Sequence, residues 1–237
     1  MDQANTGNTA KRIKILPKGP YRVSKEIPLD QAIIVDDGTG ASERWDKGRK
    51  YDAQKADYHL CRCGHSKNKP YCDGTHVATG FEGRETASKA PYVEGAKIYE
   101  GKGNVDLLDN EELCAVARFC DADPTVWECA TESDRPGFRE TAIEKACNCP
   151  SGRLTVAKKD GTMIEPELDQ EISLVEDTAQ GCKGPLWVKG GIPIEGADGE
   201  TYEVRNRVTL CRCGNSHNAP FCDASHLRAT HMKGLDT

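Results

Sequence analysis

The sequence predicts an α+β protein in which two similar β-rich modules flank a different, partly helical unit. The first observation is a repeat, because KGPYRVSKEIPL, beginning at Lys18, returns as KGPLWVKGGIPI, beginning at Lys183. The second is the cysteine-rich stretch after each copy, LCRCGHSKNKPYCDGTH and LCRCGNSHNAPFCDASH. Internal repetition marks structural units, so we place modules at residues 18–80 and 172–230, after an N-terminal segment of residues 1–17.

Short alternating runs predict the strands of both modules. GPLWVKGGIPI and YEVRNRVTL are bounded by glycine, proline or polar residues and are typical of strands that bury one face. Each cysteine-rich stretch should then lie in a loop after the strand that ends at Leu60 or Leu210. Asp73 and Asp223 directly follow a cysteine, and their carboxylates can cap a short helix.

The middle unit, residues 90–165, differs from both modules. NVDLL and RLTVA are its strand candidates. FRETAIEKAC has helical periodicity, which places Phe138, Ile143 and Ala146 on one side. The sequence therefore predicts a small α+β insertion between the two repeated modules.

Composition limits the function classes. The net charge of -6 argues against nucleic-acid binding, which requires a basic face, and permits a basic protein partner. No apolar run reaches the roughly 20 residues that a membrane span needs, and MDQANTGNTAKRIKIL lacks the apolar core of a signal peptide. The expected location is cytoplasmic, without a membrane partner.

The chain contains twelve cysteines, which is unusual for a protein of that location. A reducing compartment discourages structural disulfides, and thiolates there more often bind metals. A disulfide scaffold is the alternative that this reasoning disfavours.

Both repeated stretches have the spacing C-x-C-x8-C-x3-H. The candidate ligands are Cys61, Cys63, Cys72 and His76 in the first copy, and Cys211, Cys213, Cys222 and His226 in the second. Three thiolates and an imidazole can form a structural zinc site, although zinc sites usually separate paired cysteines by two to four residues. A [2Fe-2S] cluster has two irons, so that each pair of ligands can bind one of them.

The two stretches resemble the CDGSH iron-sulfur domain. Its pattern, C-x-C-x2-S/T-x3-P-x-C-D-G-S/A/T-H, is complete in the first copy, where Ser66, Pro70 and Thr75 occupy the remaining positions. The second copy departs from it only at Ala224, where the family has glycine, and that change can tighten or tilt the turn before His226. The resemblance implies one [2Fe-2S] cluster per motif, held by three cysteines and one histidine near solvent. It also implies a dimer with a shared β-cap, which this chain would form internally as a monomeric pseudo-dimer.

The middle unit resembles a divergent single-cluster ferredoxin in its C-x5-C spacing and its later C-P pair. The resemblance implies that Cys114, Cys120 and Cys149 are ligands, and Ala117 occupies the place of a further cysteine. Three cysteines suit a [3Fe-4S] cluster. If Cys129 or Cys147 supplies a fourth thiolate, the cluster is [4Fe-4S].

The other cysteines and histidines are weaker candidates. Beside Trp127, Cys129 is expected to be a small buried hydrophobic residue, and the role of Cys147 stays open. Cys182 has no partner in the first repeat and is expected to be a spare thiol. The remaining histidines, which do not recur in the repeat, are expected at the surface: His59, His65, His217 and His231.

These observations favour an electron-transfer protein that is not an enzyme and has no catalytic residue. Its partners would be redox proteins. A protein that transfers clusters to apo-acceptors, or that senses redox state or pH through labile histidine-ligated clusters, would use the same residues. A zinc-stabilised interaction module is the third class.

Overall fold

The computed structural model describes residues 11–52 and 56–235, so most of the predicted N-terminal segment lies outside it. This part of the chain is β-rich with few helices, and its overall class is α+β, as predicted. Its strands are β1 (Ile13–Ile15), β2 (Tyr21–Val23), β3 (Leu29–Asp36), β4 (Ser42–Lys50), β5 (Tyr58–Leu60), β6 (Lys97–Glu100), β7 (Val105–Asp109), β8 (Leu154–Lys158), β9 (Met163–Ile164), β10 (Ile172–Asp177), β11 (Cys182–Lys189), β12 (Ile194–Glu195) and β13 (Arg207–Leu210). The α-helices are α1 (Thr75–Ala78), α2 (Val126–Thr131) and α3 (Phe138–Cys147), and short 3-10 helices span Tyr92–Gly95, Glu111–Leu113, Ser225–Arg228 and Thr230–Met232.

These strands form three separate sheets. The first has the order β12-β1-β2-β5, the second β13-β11-β10-β3-β4, and the third β6-β7-β8-β9. The first two sheets contain strands from both repeats, whereas the third belongs to the middle unit alone. Strand β5 ends at Leu60 and β13 ends at Leu210, so both cysteine motifs begin directly after a strand, as predicted.

The two repeats exchange strands. Strand β1, which lies before residue 18 and pairs with β2 of the first repeat, also pairs in parallel with β12 of the second, with Ile13 opposite Ile194. Strand β10 of the second repeat pairs in parallel with β3 of the first, with Ile172 opposite Leu29. In each pairing the two parallel strands lie far apart in the sequence. Backbone hydrogen bonds between them therefore join the two repeats. The repeats therefore do not form separate domains.

The middle unit packs two helices on its own sheet. Its buried core consists of apolar side chains of β7, β8, α2 and α3, including Val105, Val126, Ala142 and Val156. Helix α3 spans the stretch that its periodicity predicts, Phe138–Cys147, and strands β7 and β8 fall on NVDLL and RLTVA.

A buried ion pair joins the middle unit to the second sheet. Arg118 donates to both carboxylate oxygens of Asp177, at 2.7 and 2.9 Å, and both side chains are buried. Beside this pair, Trp45 of β4 stacks on Phe119 and Trp187, with ring centroids 4.8 Å away in each case. The segment from Cys114 to Cys120 is thus held against the sheet formed by both repeats.

We expect Asp177→Asn to destabilise the protein strongly. Removing one charge leaves the Arg118 guanidinium buried without its counterion, which costs about 3–5 kcal/mol in comparable pairs. Urea unfolding measures the change, with Asp46→Asn as the matched control because Asp46 pairs with Arg44 at the exposed surface. The control should change the free energy of unfolding by less than about 1 kcal/mol. Equal effects of the two substitutions would contradict a role of Asp177 in docking the middle unit.

Candidate iron-sulfur sites

The first motif brings its four predicted ligands together as two pairs. Cys61 and Cys63 are buried, and their sulfur atoms lie 3.7 Å apart. Cys72 and His76 are half-buried, and Cys72 Sγ lies 3.3 Å from His76 Nδ1. Helix α1 begins one residue before His76, so the helix places the imidazole beside Cys72.

The second motif repeats this arrangement in a more buried setting. The sulfur atoms of Cys211 and Cys213 are 3.5 Å apart, and Cys222 Sγ lies 3.4 Å from His226 Nδ1. All four side chains are buried. Burial, followed by the Arg212 charge, lowers the pKa of His226 to about 4. This imidazole is therefore neutral at pH 7, which is the form that binds metals.

Equivalent hydrogen bonds shape the two loops. The amide of Cys61 donates to the carbonyl of Pro70, and that of Cys211 to the carbonyl of Pro220, both at 2.8 Å. Asp73 accepts from the amide of Thr75 at 3.0 Å, and Asp223 does so from Ser225 at the same distance. In each copy the aspartate thus binds an amide of the first turn, although the residue after it is the N-cap.

Ala224 preserves the turn that glycine forms in the first motif. Its φ of 66° lies in the left-handed region, close to the 87° of Gly74. A residue with a Cβ pays roughly 1–2 kcal/mol for that conformation. The departure from the family pattern therefore keeps the position of His226 at an energetic cost.

Each pair of ligands has the spacing expected for one metal ion. Two sulfur ligands on a tetrahedral metal with bonds of about 2.3 Å lie about 3.8 Å apart, and a sulfur and a nitrogen lie slightly closer. In the described part of the chain, no three or more His, Cys, Asp or Glu side chains surround a single point that could hold one ion. The donor set of each motif, three thiols and one imidazole in two pairs, fits a [2Fe-2S] cluster.

The two motifs touch each other at their glycines. A Cβ on Gly64 would lie 2.6 Å from His231 Nε2 and 2.7 Å from the carbonyl oxygen of Cys213. A Cβ on Gly214 would lie 2.7 Å from the carbonyl oxygen of Cys63. Only glycine allows the two loops to approach so closely. The two candidate sites are therefore neighbours.

We expect Gly64→Ala to separate the loops, whereas Gly74→Ala should be tolerated better. Both glycines have positive φ, so both substitutions carry the same backbone cost. Only Gly64 has neighbouring atoms in the way, and overpacking adds roughly 1–3 kcal/mol. Urea unfolding and the iron content of both variants measure the difference. A Gly74→Ala protein as unstable as Gly64→Ala would show that the contact between loops is unimportant.

Three cysteines line a cavity in the middle unit. Cys114, Cys120 and Cys149 surround a space of about 150 Å³, and Ala117 also lines it. Val116 and Arg118, on either side of Ala117, have positive φ values of 55° and 59°. Such conformations are uncommon in residues other than glycine and concentrate at binding sites. The structure thus brings together the three middle residues predicted from the spacing.

The remaining cysteines lie away from this cavity. Cys129 is fully buried in the core of the middle unit and contacts the carbonyl of Pro124, as expected for a small hydrophobic residue. Cys147 does not line the cavity. Burial raises the pKa of its half-buried thiol, while the charge of Arg207 lowers that pKa and the charge of Glu165 raises it. Cys182 is buried at the start of β11. All twelve cysteines lie within the described residues, and all are free thiols.

The histidines outside the motif patterns include one that contacts a motif. His59, His65 and His217 are exposed, as predicted. His231 is partly exposed: its Nε2 lies 2.9 Å from the carbonyl oxygen of Cys213, and its ring packs on His65 with centroids 4.4 Å apart. No sequence signal pointed to His231, because the first repeat has Phe81 at the equivalent position.

Sequence reasoning overlooked the arginine in each C-R-C. Arg62 Nε donates to the carbonyl of Gly19 at 2.9 Å, and Arg212 Nε donates to that of Gly184 at 2.7 Å. Both acceptors belong to the repeated KGP, so each arginine joins its motif to the KGP segment of its own repeat. The sequence contained a signal for this role, because an arginine separates the first two cysteines in both motifs.

The middle unit also contacts the second motif. Asn218 donates to the carbonyl of Glu112 at 2.8 Å. Arg205 lies over the rings of Tyr92 and Phe221 and donates to the carbonyl of Ser151. Ser151 is two residues from Cys149, and Phe221 precedes Cys222. The second motif therefore contacts both the first motif and the middle unit.

Comparison with known families agrees with these observations. Residues 18–77 and 183–227 match the model described as iron-binding zinc finger CDGSH type. Residues 99–159 match the model described as divergent 4Fe-4S mono-cluster. A search of curated proteins finds no match. The matched families indicate an iron-sulfur protein. The chain is a CDGSH-type iron-sulfur domain protein with two CDGSH regions and a divergent 4Fe-4S mono-cluster region between them.

None of the helices in residues 11–52 and 56–235 is long and apolar enough to cross a membrane.

Proposed function

We propose that the protein transfers electrons through three iron-sulfur sites. Two [2Fe-2S] clusters would be held by the ligand pairs of the two motifs. The third cluster, of the [3Fe-4S] type, would be held by Cys114, Cys120 and Cys149. When bound, such clusters accept and release single electrons.

The observation that supports this proposal most directly is the pairing of the ligands. Cys61 with Cys63, and Cys72 with His76, are two pairs with the separations that one metal each requires. The second motif repeats both separations within 0.2 Å, since 3.7 Å becomes 3.5 Å and 3.3 Å becomes 3.4 Å. A structural zinc ion would need all four ligands around one point. The arrangement therefore favours two metal ions per motif over a zinc-stabilised interaction module.

We also propose that the repeats form a pseudo-dimer within one chain. The exchanged strands support this, because the amide of Ile13 donates to the carbonyl of Pro193, and the amide of Ile172 donates to that of Pro28. These contacts are equivalent under exchange of the two repeats. The proposed shared β-cap would consist of the second sheet, which β3 and β4 of the first repeat form with β10, β11 and β13 of the second.

The order of the sites supports electron transfer. Gly64 and Gly214 bring the two motifs into contact, and Asn218 brings the second motif to the middle unit. Neutral imidazole ligands leave a cluster less negative than thiolates would, which raises its reduction potential. The residues of the chain would thus bind the clusters and set their reduction potentials, and none of these residues would be catalytic. The partners are redox proteins, without nucleic acid or membrane.

Cluster transfer or sensing is a second candidate function. One observation favours it, namely that Cys72 and His76 are only half-buried in the first motif. A partly exposed ligand pair can be reached by an apo-acceptor protein or by solvent.

Reduction of anaerobically purified protein tests the proposed function. Optical and electron paramagnetic resonance (EPR) spectra, recorded during a stepwise redox titration, should show reversible one-electron changes at all three sites. Cys61→Ser and Cys211→Ser should each remove the signal of one motif and leave the other. A colourless protein that contains zinc would reject the proposal. Clusters that load but are lost on every redox cycle, and appear in an apo-ferredoxin, would favour cluster transfer.

A further inference from the structure

The two motifs differ in how the surrounding chain covers their ligands. The inference drawn from this difference rests on the proposed function. We propose that the first motif is the exchange site, where a redox partner protein reaches a cluster, and that the second motif is an internal relay. Electrons would pass one at a time between the partner and the first site, and then through the second site to or from the middle site.

The ligands themselves show the difference. Cys222 and His226 are each 3% exposed, whereas their counterparts Cys72 and His76 are only half-buried. The other ligands do not differ in this way, because Cys61, Cys63, Cys211 and Cys213 are all buried. The asymmetry therefore concerns only the cysteine-histidine pair of each motif.

The C-terminal segment covers the second motif. Ala229 and Met232 pack against Cys211 and Cys213 in one buried apolar cluster, and Met232 is only 1% exposed. In the first motif, Thr79 and Glu82 occupy the equivalent sequence positions, three and six residues after His76. Both are exposed. The first motif lacks this apolar cover because its equivalent positions carry polar side chains.

Two further segments contact the loop of the second motif. The amides of Thr86 and Ala87 donate to the carbonyl of Ala219 at 2.7 and 2.9 Å, and the Thr86 hydroxyl donates to the carbonyl of His217. On another side, the Asn218 side chain bonds the middle unit. Chain from outside the repeat thus contacts the loop of the second motif at His217, Asn218 and Ala219.

The first motif leaves its cysteine-histidine pair partly exposed to solvent. Helix α1, which contains His76, has no buried residue, and its Val77 is 77% exposed. Its counterpart Leu227 is partly buried. A partner protein can therefore approach the first site, whereas access to the second requires displacement of at least one covering segment.

Iron release to a chelator tests this assignment on the full-length protein. Cys61→Ser and Cys211→Ser serve as labels, because each should remove the cluster of one motif and leave the other cluster with its native ligands. In excess EDTA under anaerobic conditions, the cluster of the first motif should be lost at least about tenfold faster than that of the second, because no covering segment has to open. The fast phase should be present in Cys211→Ser, which keeps only the cluster of the first motif, and absent in Cys61→Ser, which keeps only that of the second. Equal rates, or faster loss from the second motif, would overturn the proposal.

A variant of the cover provides the second arm of the test. Met232→Ser should accelerate loss from the second motif towards the rate of the first, with the first unchanged. Met163→Ser, the same substitution at an exposed position of β9 in the third sheet, is the matched control. If Met232→Ser does not fold, the wild-type rates still decide. Failure to load any [2Fe-2S] cluster would reject the proposed function, whereas two clusters with equal rates would reject only the exchange site.

Discussion

Anaerobically purified protein should show the EPR signal of an oxidised [3Fe-4S] cluster, and Ala117→Cys should replace it with a four-iron cluster. The reason is the composition of the middle cavity, where Cys114, Cys120 and Cys149 are the lining thiols and Ala117 stands at the expected fourth position. A new thiol there would supply the missing ligand. EPR of the oxidised and reduced states measures the change, because an oxidised four-iron cluster is silent.

Three control variants identify any other fourth ligand. Cys129→Ala and Cys147→Ala should keep the wild-type signal, because neither residue lines the cavity. Asp121 does line it, and its carboxylate lies 3.1 Å from Cys120 Sγ, so Asp121→Ala tests an oxygen ligand. A silent wild type that acquires the three-iron signal in one of these variants would contradict the three-cysteine assignment and name the missing ligand.

His76→Cys and His226→Cys should each lower the reduction potential of one [2Fe-2S] cluster, on the order of 100 mV or more. Exchange of a neutral imidazole for a charged thiolate makes the cluster more negative, and the two-histidine Rieske centres show the opposite change at larger scale. Both altered clusters should also survive mild acid longer, because an anionic thiolate binds ferric iron more strongly than a neutral imidazole does. Redox titration followed by visible absorption measures the potential.

The conservative control is Asn215→His, which places in the second motif the residue that the first has at His65. This exposed position is outside both ligand pairs, so the potential should change little. If neither histidine substitution moved the potential or the acid stability, the histidines would have to be removed from the ligand set.

The repeat explains how much of the motifs could be predicted. Two copies of one spacing identified all eight ligand candidates, and the strands before them followed from alternation that ends at Leu60 and Leu210. Helix α3 was predictable because its periodicity is local. Each of these signals depends on residues near one another in sequence.

The remaining features depend on long-range contacts. The pairing of Ile13 with Ile194 joins residues far apart in the chain, and parallel pairing leaves no turn signal that would indicate its register. Similarly, Met232 looks like an isolated apolar residue in a polar tail. Its burial against Cys211 and Cys213 could not be predicted from the spacing, because the first repeat has no apolar residue at the equivalent position.

Mössbauer spectroscopy of protein expressed with ⁵⁷Fe, together with iron and zinc analysis, tests the central claim most directly. The account predicts about seven iron atoms per chain, no stoichiometric zinc, and spectra that contain two histidine-ligated [2Fe-2S] clusters and one three-iron cluster. In each [2Fe-2S] cluster the iron bound to His76 or His226 should be distinguishable from the iron bound by two cysteines. One zinc ion per motif, with iron confined to the middle unit, would contradict the account.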